Sequence, residues 1–122
     1  MFSAASTTDA GGRDTVSSMI SFDLESTPGL RFVENLTLLG VANTNGTGNG
    51  LANNLTGNSG NNSLSGGLGN DTVQGGSGSD TIYGSAGVNQ LLGNDGNDVV
   101  YTSAAGDFAA GGAGNDSIFG AD

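Results

Sequence analysis

The 122-residue sequence has no cysteine, histidine, tryptophan or lysine, a single proline and only two arginines. Each absence removes a class of protein. Without cysteine no disulfide can staple the fold. Without cysteine and histidine a zinc site of the usual ligands is excluded, and a Ser–His–Asp triad is impossible. Two basic residues against 12 acidic ones leave a net charge of −10. Such a chain repels polyanions, so nucleic acid is not an expected partner, whereas cations are attracted. The apolar runs are too short to span a membrane. The start, MFSAASTTDAGGRD, lacks the basic head and apolar stretch of a signal peptide.

Glycine is what the chain has in excess, with 24 residues against a usual share of about 7%. Glycine costs more backbone entropy on folding than any other residue. High polarity with high glycine is also the signature of a disordered segment, so periodicity has to decide. Written in nines from residue 48, the chain reads GNGLANNLT, GNSGNNSLS, GGLGNDTVQ, GGSGSDTIY, GSAGVNQLL, GNDGNDVVY, TSAAGDFAA, GGAGNDSIF. Position eight is always apolar: Leu55, Leu64, Val73, Ile82, Leu91, Val100, Ala109, Ile118. Position six always carries a short side chain with an oxygen: Asn53, Asn62, Asp71, Asp80, Asn89, Asp98, Asp107, Asp116. Position four is glycine in six of the eight. A flexible linker has no reason to hold three registers at once, so the period indicates stacked structural repeats.

The pattern GGxGxDxUx, with U a large aliphatic, resembles the hemolysin-type calcium-binding (RTX) nonapeptide repeat. Segments 66–74, 75–83 and 111–119 match it fully, 93–101 lacks only the second glycine, and 57–65 and 84–92 carry Asn for Asp. Segment 102–110 is a poor match. The resemblance implies an all-β fold, a right-handed parallel β-roll with two short-stranded sheets joined by calcium-binding turns. It also implies Ca2+ as cofactor, several ions between stacked turns, and a secreted or cell-surface parent exported by type I secretion. Calcium takes six to eight oxygens from carboxylates and carbonyls, and the turns are built to supply them. The glycines free the backbone and expose its carbonyls, while the aspartate adds an anionic oxygen.

One coil of such a roll takes two nonapeptides, which splits the turns into two columns. The stronger column holds Gly75, Gly76, Gly78 and Asp80, then Gly93, Asp95, Gly96 and Asp98, then Gly111, Gly112, Gly114 and Asp116, stacked below Asn62. The weaker column holds Gly66, Gly67, Gly69 and Asp71, then Asn89, then Asp107. Asn89 interrupts its carboxylates, and the 102–107 turn has lost its glycines, so sites there are expected to be weak or empty. Asn62 leaves a third interval of the stronger column one carboxylate short. Stacked coils lie about 4.8 Å apart, where two like charges repel by roughly 3 kcal/mol at an effective dielectric near 20. The apolar core is thin. The expected role of the metal is therefore to complete the fold, because an ion that binds only the folded chain adds its binding energy to folding.

The remaining chain is read more coarsely. Residues 1–47 form a degenerate N-terminal flank of partly ordered irregular coils, and 48–122 form the repeats, best over 57–119. VENLTLLG suggests a strand packed ahead of the roll. Val16, Ile20, Phe22, Leu24, Leu30 and Phe32 are candidates to extend the core, and residues 1–10 are expected to be disordered. The array stops at FGAD, inside the opening of a further repeat, and the expectation is either a fragment of a longer protein or a short open reading frame that ends in its repeats. Asp23 with Glu25 lies on a short polar stretch and reads as solvated surface, so no enzyme activity is expected. The GxGxxG-like spacing around Gly46, Gly48 and Gly50 has no following helix pattern and no dinucleotide context. At position nine Tyr83, Tyr101 and Phe119 recur and should form an outward ladder. It either stiffens the sheet or offers a polysaccharide- or partner-binding platform for an adhesin.

Overall fold

A computed structural model describes residues 2–3, 12–103 and 106–120. Among them there is no helix, and so none that could cross a membrane. The strands come in alternation to two sheets, as a nine-residue period with one inward aliphatic per repeat requires. The first sheet holds β1 (Phe2–Ser3), β2 (Thr15–Ser18), β4 (Asn35–Leu38), β6 (Asn54–Thr56), β8 (Thr72–Gly76), β10 (Gln90–Asn94) and β12 (Phe108–Ala110), in that order. The second holds β3 (Phe22–Asp23), β5 (Asn45–Thr47), β7 (Ser63–Ser65), β9 (Thr81–Tyr83), β11 (Val99–Tyr101) and β13 (Ser117–Phe119). Every pairing is parallel except β1 with β2. This is a parallel β-roll.

The register is the sequence period made visible. In the first sheet Val16, Leu36, Leu55, Val73 and Leu91 oppose one another in turn. All five are fully buried. In the second sheet Leu64, Ile82 and Val100 do the same. Burying each such side chain is worth about 1.5–3 kcal/mol. The ends of these rows are thinner: Ala109 is only partly buried and Ile118 is 47% exposed on the outermost strand. One coil earlier the second row has Gly46, because Leu36 and Leu64 already fill the space. A Cβ there would lie 3.1 Å from one and 3.2 Å from the other.

The first coils are longer than the repeats, spanning 20 residues from Asp14 to Glu34 and 24 from Ser21 to Asn45, against 18 later. They still belong to the same two sheets. Val16, Leu24 and Leu30 enter the core, joined by Val33, Leu36 and Leu38. Phe22 packs on its edge. Ile20 is exposed instead, because Ser18 forms a tight local turn with it: Ser18 Oγ donates to the Ile20 carbonyl (2.7 Å) and accepts its N–H. Phe2–Ser3 pairs with β2 where no order was expected, and the rest of the 1–10 segment lies outside the described residues.

Candidate metal centre

The turns between strands follow two rules of hydrogen bonding that lock each coil to the next. Position six looks back one coil. Asp80 Oδ1 accepts the Asn62 N–H at 2.7 Å, Asp98 Oδ1 the Asp80 N–H at 2.8 Å, and Asp116 Oδ1 the Asp98 N–H at 2.9 Å. The other column repeats this, with Asp71, Asn89 and Asp107 taking the N–H groups of Asn53, Asp71 and Asn89. Position five looks forward: Asn43, Asn61 and Asn97 accept from Asn61, Ser79 and Asn115, and Asn70 from Val88. The second rule was missed in the sequence, although asparagine recurs at position five in four of the eight nonapeptides. Its physical use is to satisfy turn amides that no sheet ladder reaches.

The first rule uses only one oxygen of each carboxylate. The other, Oδ2, is buried and without a hydrogen-bond partner in Asp71, Asp80 and Asp98, and in no other side chain among the described residues. A buried anionic oxygen left unpaired is costly. Burial accordingly raises Asp71 from 3.8 to about 7 and Asp80 to about 6, each opposed by the backbone N–H it accepts. Asp98 is also raised, again first by burial and then by the negative charges of Asp116 and Asp95. Asp116 is half-buried, and Asp107 Oδ2 accepts the Ser103 N–H at 2.9 Å.

Each orphaned oxygen lies against the glycine that opens its own turn. A Cβ on Gly75 would stand 2.5 Å from Asp80 Oδ2 and 2.7 Å from the Gly93 carbonyl of the next coil. A Cβ on Gly93 would meet Asp98 Oδ2 and the Gly111 carbonyl in the same way. The stronger column therefore converges a carboxylate oxygen and a carbonyl of the following coil on one small space. Gly67, Gly76 and Gly112 at position two, and Gly69, Gly78, Gly96 and Gly114 at position four, all have φ between 88° and 122°. Glycine adopts that left-handed conformation at no steric cost. Two side-chain-bearing residues share it at position two, Ser85 (φ 62°) and Asn94 (φ 72°). Asp95 is exposed in the same turn and is tied by its backbone to Gly76 and Ala113. In the weaker column Asn89 donates its amide within its own turn, and Ala104 and Ala105 of the 102–107 turn lie outside the described residues.

No three acidic side chains come together among the described residues. A cation here would rest mainly on backbone carbonyls with one or two carboxylates, which is chemistry for a hard, oxygen-seeking ion. The family model of the RTX calcium-binding nonapeptide repeat matches the chain in four copies, at residues 47–82, 65–100, 74–108 and 101–122. The chain belongs to this family. It is a calcium-binding repeat module, and the aspartate turns of the RTX roll bring together oxygens of the hard kind that calcium prefers: buried carboxylate oxygens with no hydrogen-bond partner and carbonyls beside glycine. No curated protein and no solved structure matches the chain.

The aromatic ladder of the RTX roll stands on the outer face of the second sheet. Tyr83 and Tyr101 have ring centroids 5.1 Å apart and 5° from parallel, and Tyr101 and Phe119 are 5.3 Å apart at 18°. The rings cover one another's faces along the stack. Such stacking adds to the packing between neighbouring coils.

Proposed function

We propose that this chain is a calcium-folded module of a secreted or cell-surface protein. The observation that carries the reading is the set of three buried Oδ2 atoms with no partner, on Asp71, Asp80 and Asp98. Calcium supplies the charge that those oxygens and the surrounding carbonyls lack. The residues proposed to hold it are Asp80, Asp98 and Asp116 with the turn glycines Gly75, Gly76, Gly78, Gly93, Gly96, Gly111, Gly112 and Gly114, and Asp95 beside them. Asp71 with Gly66, Gly67 and Gly69 joins this set, because its Oδ2 is as buried and as unpartnered as those of the stronger column. Asp107 is a lesser contributor, since its Oδ2 already accepts a backbone N–H.

Coupling of the metal to folding follows from the same atoms. With no cation the roll must bury like charges one coil apart, and the unfolded chain releases them to water. In a low-calcium cytosol the aspartate coils stay unfolded, which suits export. In millimolar calcium they close, in keeping with the type I secretion of other RTX proteins. Circular dichroism of the full chain in excess chelator and in millimolar calcium tests this. Strand signal should rise markedly with calcium and little with magnesium, which demands strict octahedral geometry and sheds water reluctantly. Equal strand content in chelator and in calcium would contradict the proposal.

A further inference from the structure

Three turns solve the same electrostatic problem without an anion. In turn 57–62, Asn58 Nδ2 donates to the carbonyls of Leu39 (3.1 Å) and Ala42 (3.0 Å), and Asn62 Nδ2 to the Thr44 carbonyl (2.7 Å) and to Asn58 Oδ1 (2.9 Å). Turn 48–53 repeats the device. Asn49 Nδ2 donates to the carbonyls of Leu30 and Val33, and Asn53 Nδ2 to those of Val33 and Glu34 and to Asn49 Oδ1. The oxygens of these asparagines are used as well: Asn62 Oδ1 accepts from Asn58, Asn58 Oδ1 from Gly60, Asn53 Oδ1 from Asn49, and Asn49 Oδ1 from Leu51. All four side chains are buried and none leaves a polar atom unpaired. The backbone differs too. Asn49, Asn58, Leu51 and Gly60 lie outside the left-handed region that positions two and four adopt in the aspartate turns.

Turn 84–89 shows the exchange most directly. Its backbone is of the aspartate type, with Ser85 at φ 62° and Gly87 at φ 100°. Asn89 Nδ2 stands among three carbonyls of its own turn, Gly84 at 3.1 Å and Ala86 and Gly87 at 3.5 Å each. It also takes the place beside the opening glycine that an aspartate Oδ2 takes elsewhere: a Cβ on Gly84 would lie 3.0 Å from it. An N–H donor and a cation serve inward-facing carbonyls alike.

We infer that the buried asparagine amides of turns 48–53, 57–62 and 84–89 do the work that calcium does in the aspartate turns, so that position six selects which turns take the ion. The N-terminal coils up to β7 are then a metal-independent template, and calcium is required only from the 66–71 turn onward. The inference rests on the calcium reading of the aspartate turns, and two measurements on the full chain separate the two ideas. The first is hydrogen exchange. In chelator, amides of β4, β6 and β7 should be protected at least tenfold more than those of β9, β11 and β13, and calcium should slow only the latter. Free exchange in β4–β7 until calcium is added would overturn the inference and leave the calcium reading intact. Full protection of β9–β13 in chelator would overturn both. The second is calcium stoichiometry by equilibrium dialysis. Asn89→Asp should add one bound ion per chain and Asn89→Ala none. An unchanged count in Asn89→Asp would overturn the exchange of amide for cation even if the parent chain binds calcium as proposed.

Discussion

The coils on either side of residue 66 share their sheets, their register and their core, yet they differ in what neutralises the turns. Leu55 and Leu64 before the boundary and Val73 and Ile82 after it stand in continuous buried rows. The turns before it are closed by Asn49, Asn53, Asn58 and Asn62, whose donors and acceptors are all used. Three of the turns after it are closed by Asp71, Asp80 and Asp98, each with one oxygen unused, while Asn89 closes the 84–89 turn between them. The nine-residue period therefore runs through the roll on both sides, and under the inference above the residue at position six decides whether a turn is complete as a polypeptide or takes an ion.

Breaking an aspartate turn should have the largest effect. Asp98 faces Asp80 on one side and Asp116 on the other, and its Oδ1 holds the Asp80 N–H. Asp98→Ala should weaken overall calcium affinity on the order of a hundredfold, and Asp71→Ala by about tenfold, since charge count sets the strength of such sites. Isothermal titration compares them. Equal losses would mean that the two columns load alike.

Breaking an asparagine turn should be smaller and indifferent to calcium. Asn58→Ala leaves the Leu39 and Ala42 carbonyls without their donor, a loss of about 1–3 kcal/mol for an unsatisfied buried group. Hydrogen exchange of β6 and β7 should show the same loss in chelator and in calcium. A loss seen only in chelator would place an ion at that turn.

The reading of the sequence reached the fold well and the site unevenly, for physical reasons. Position eight is apolar in every repeat because a solenoid offers one inward slot per strand, so stacked repeats were legible from the period, and the β-roll from the resemblance to the RTX nonapeptide. The column bearing Asp80, Asp98 and Asp116 was legible from the 18-residue spacing. The partnerless state of Asp71 Oδ2 was not, because Asn89 in the next coil looks like a break in the column, whereas its Oδ1 accepts only the Asp71 N–H and leaves Asp71 Oδ2 buried and unpaired. The position-five asparagines and the Asn49–Asn53 and Asn58–Asn62 pairs were passed over. Hydrogen bonds between side chain and turn backbone leave only a recurrence of asparagine, which glycine-rich composition hides. The irregular early coils were placed only roughly, since Val33 and Leu38 join the core through turns of unequal length.

Acidity offers a subtler way to erase the difference between the two regions. Burial lifts Asp71 to about 7 and Asp80 to about 6 from 3.8. The folded metal-free roll therefore holds protons that the unfolded chain has released. Its stability is fully present below about pH 4, falls as pH rises toward 7, and is lowest above that. In excess chelator the strand signal of the aspartate coils should be higher at pH 4.5 than at pH 7.5, with no matching change in β4–β7. A chelated chain more structured at pH 7.5 would show that those carboxylates are stabilised as anions by something in the polypeptide itself.

The most direct test is to locate the ion. A crystal structure of the chain grown in millimolar calcium, with an anomalous difference map, should place peaks at about 2.3–2.6 Å from Oδ2 of Asp80 and Asp98. A further peak should lie beside Asp71 Oδ2, and none beside the side chains of Asn58 or Asn62. A map with no peak at those oxygens, or with peaks at the asparagine turns instead, would contradict the account.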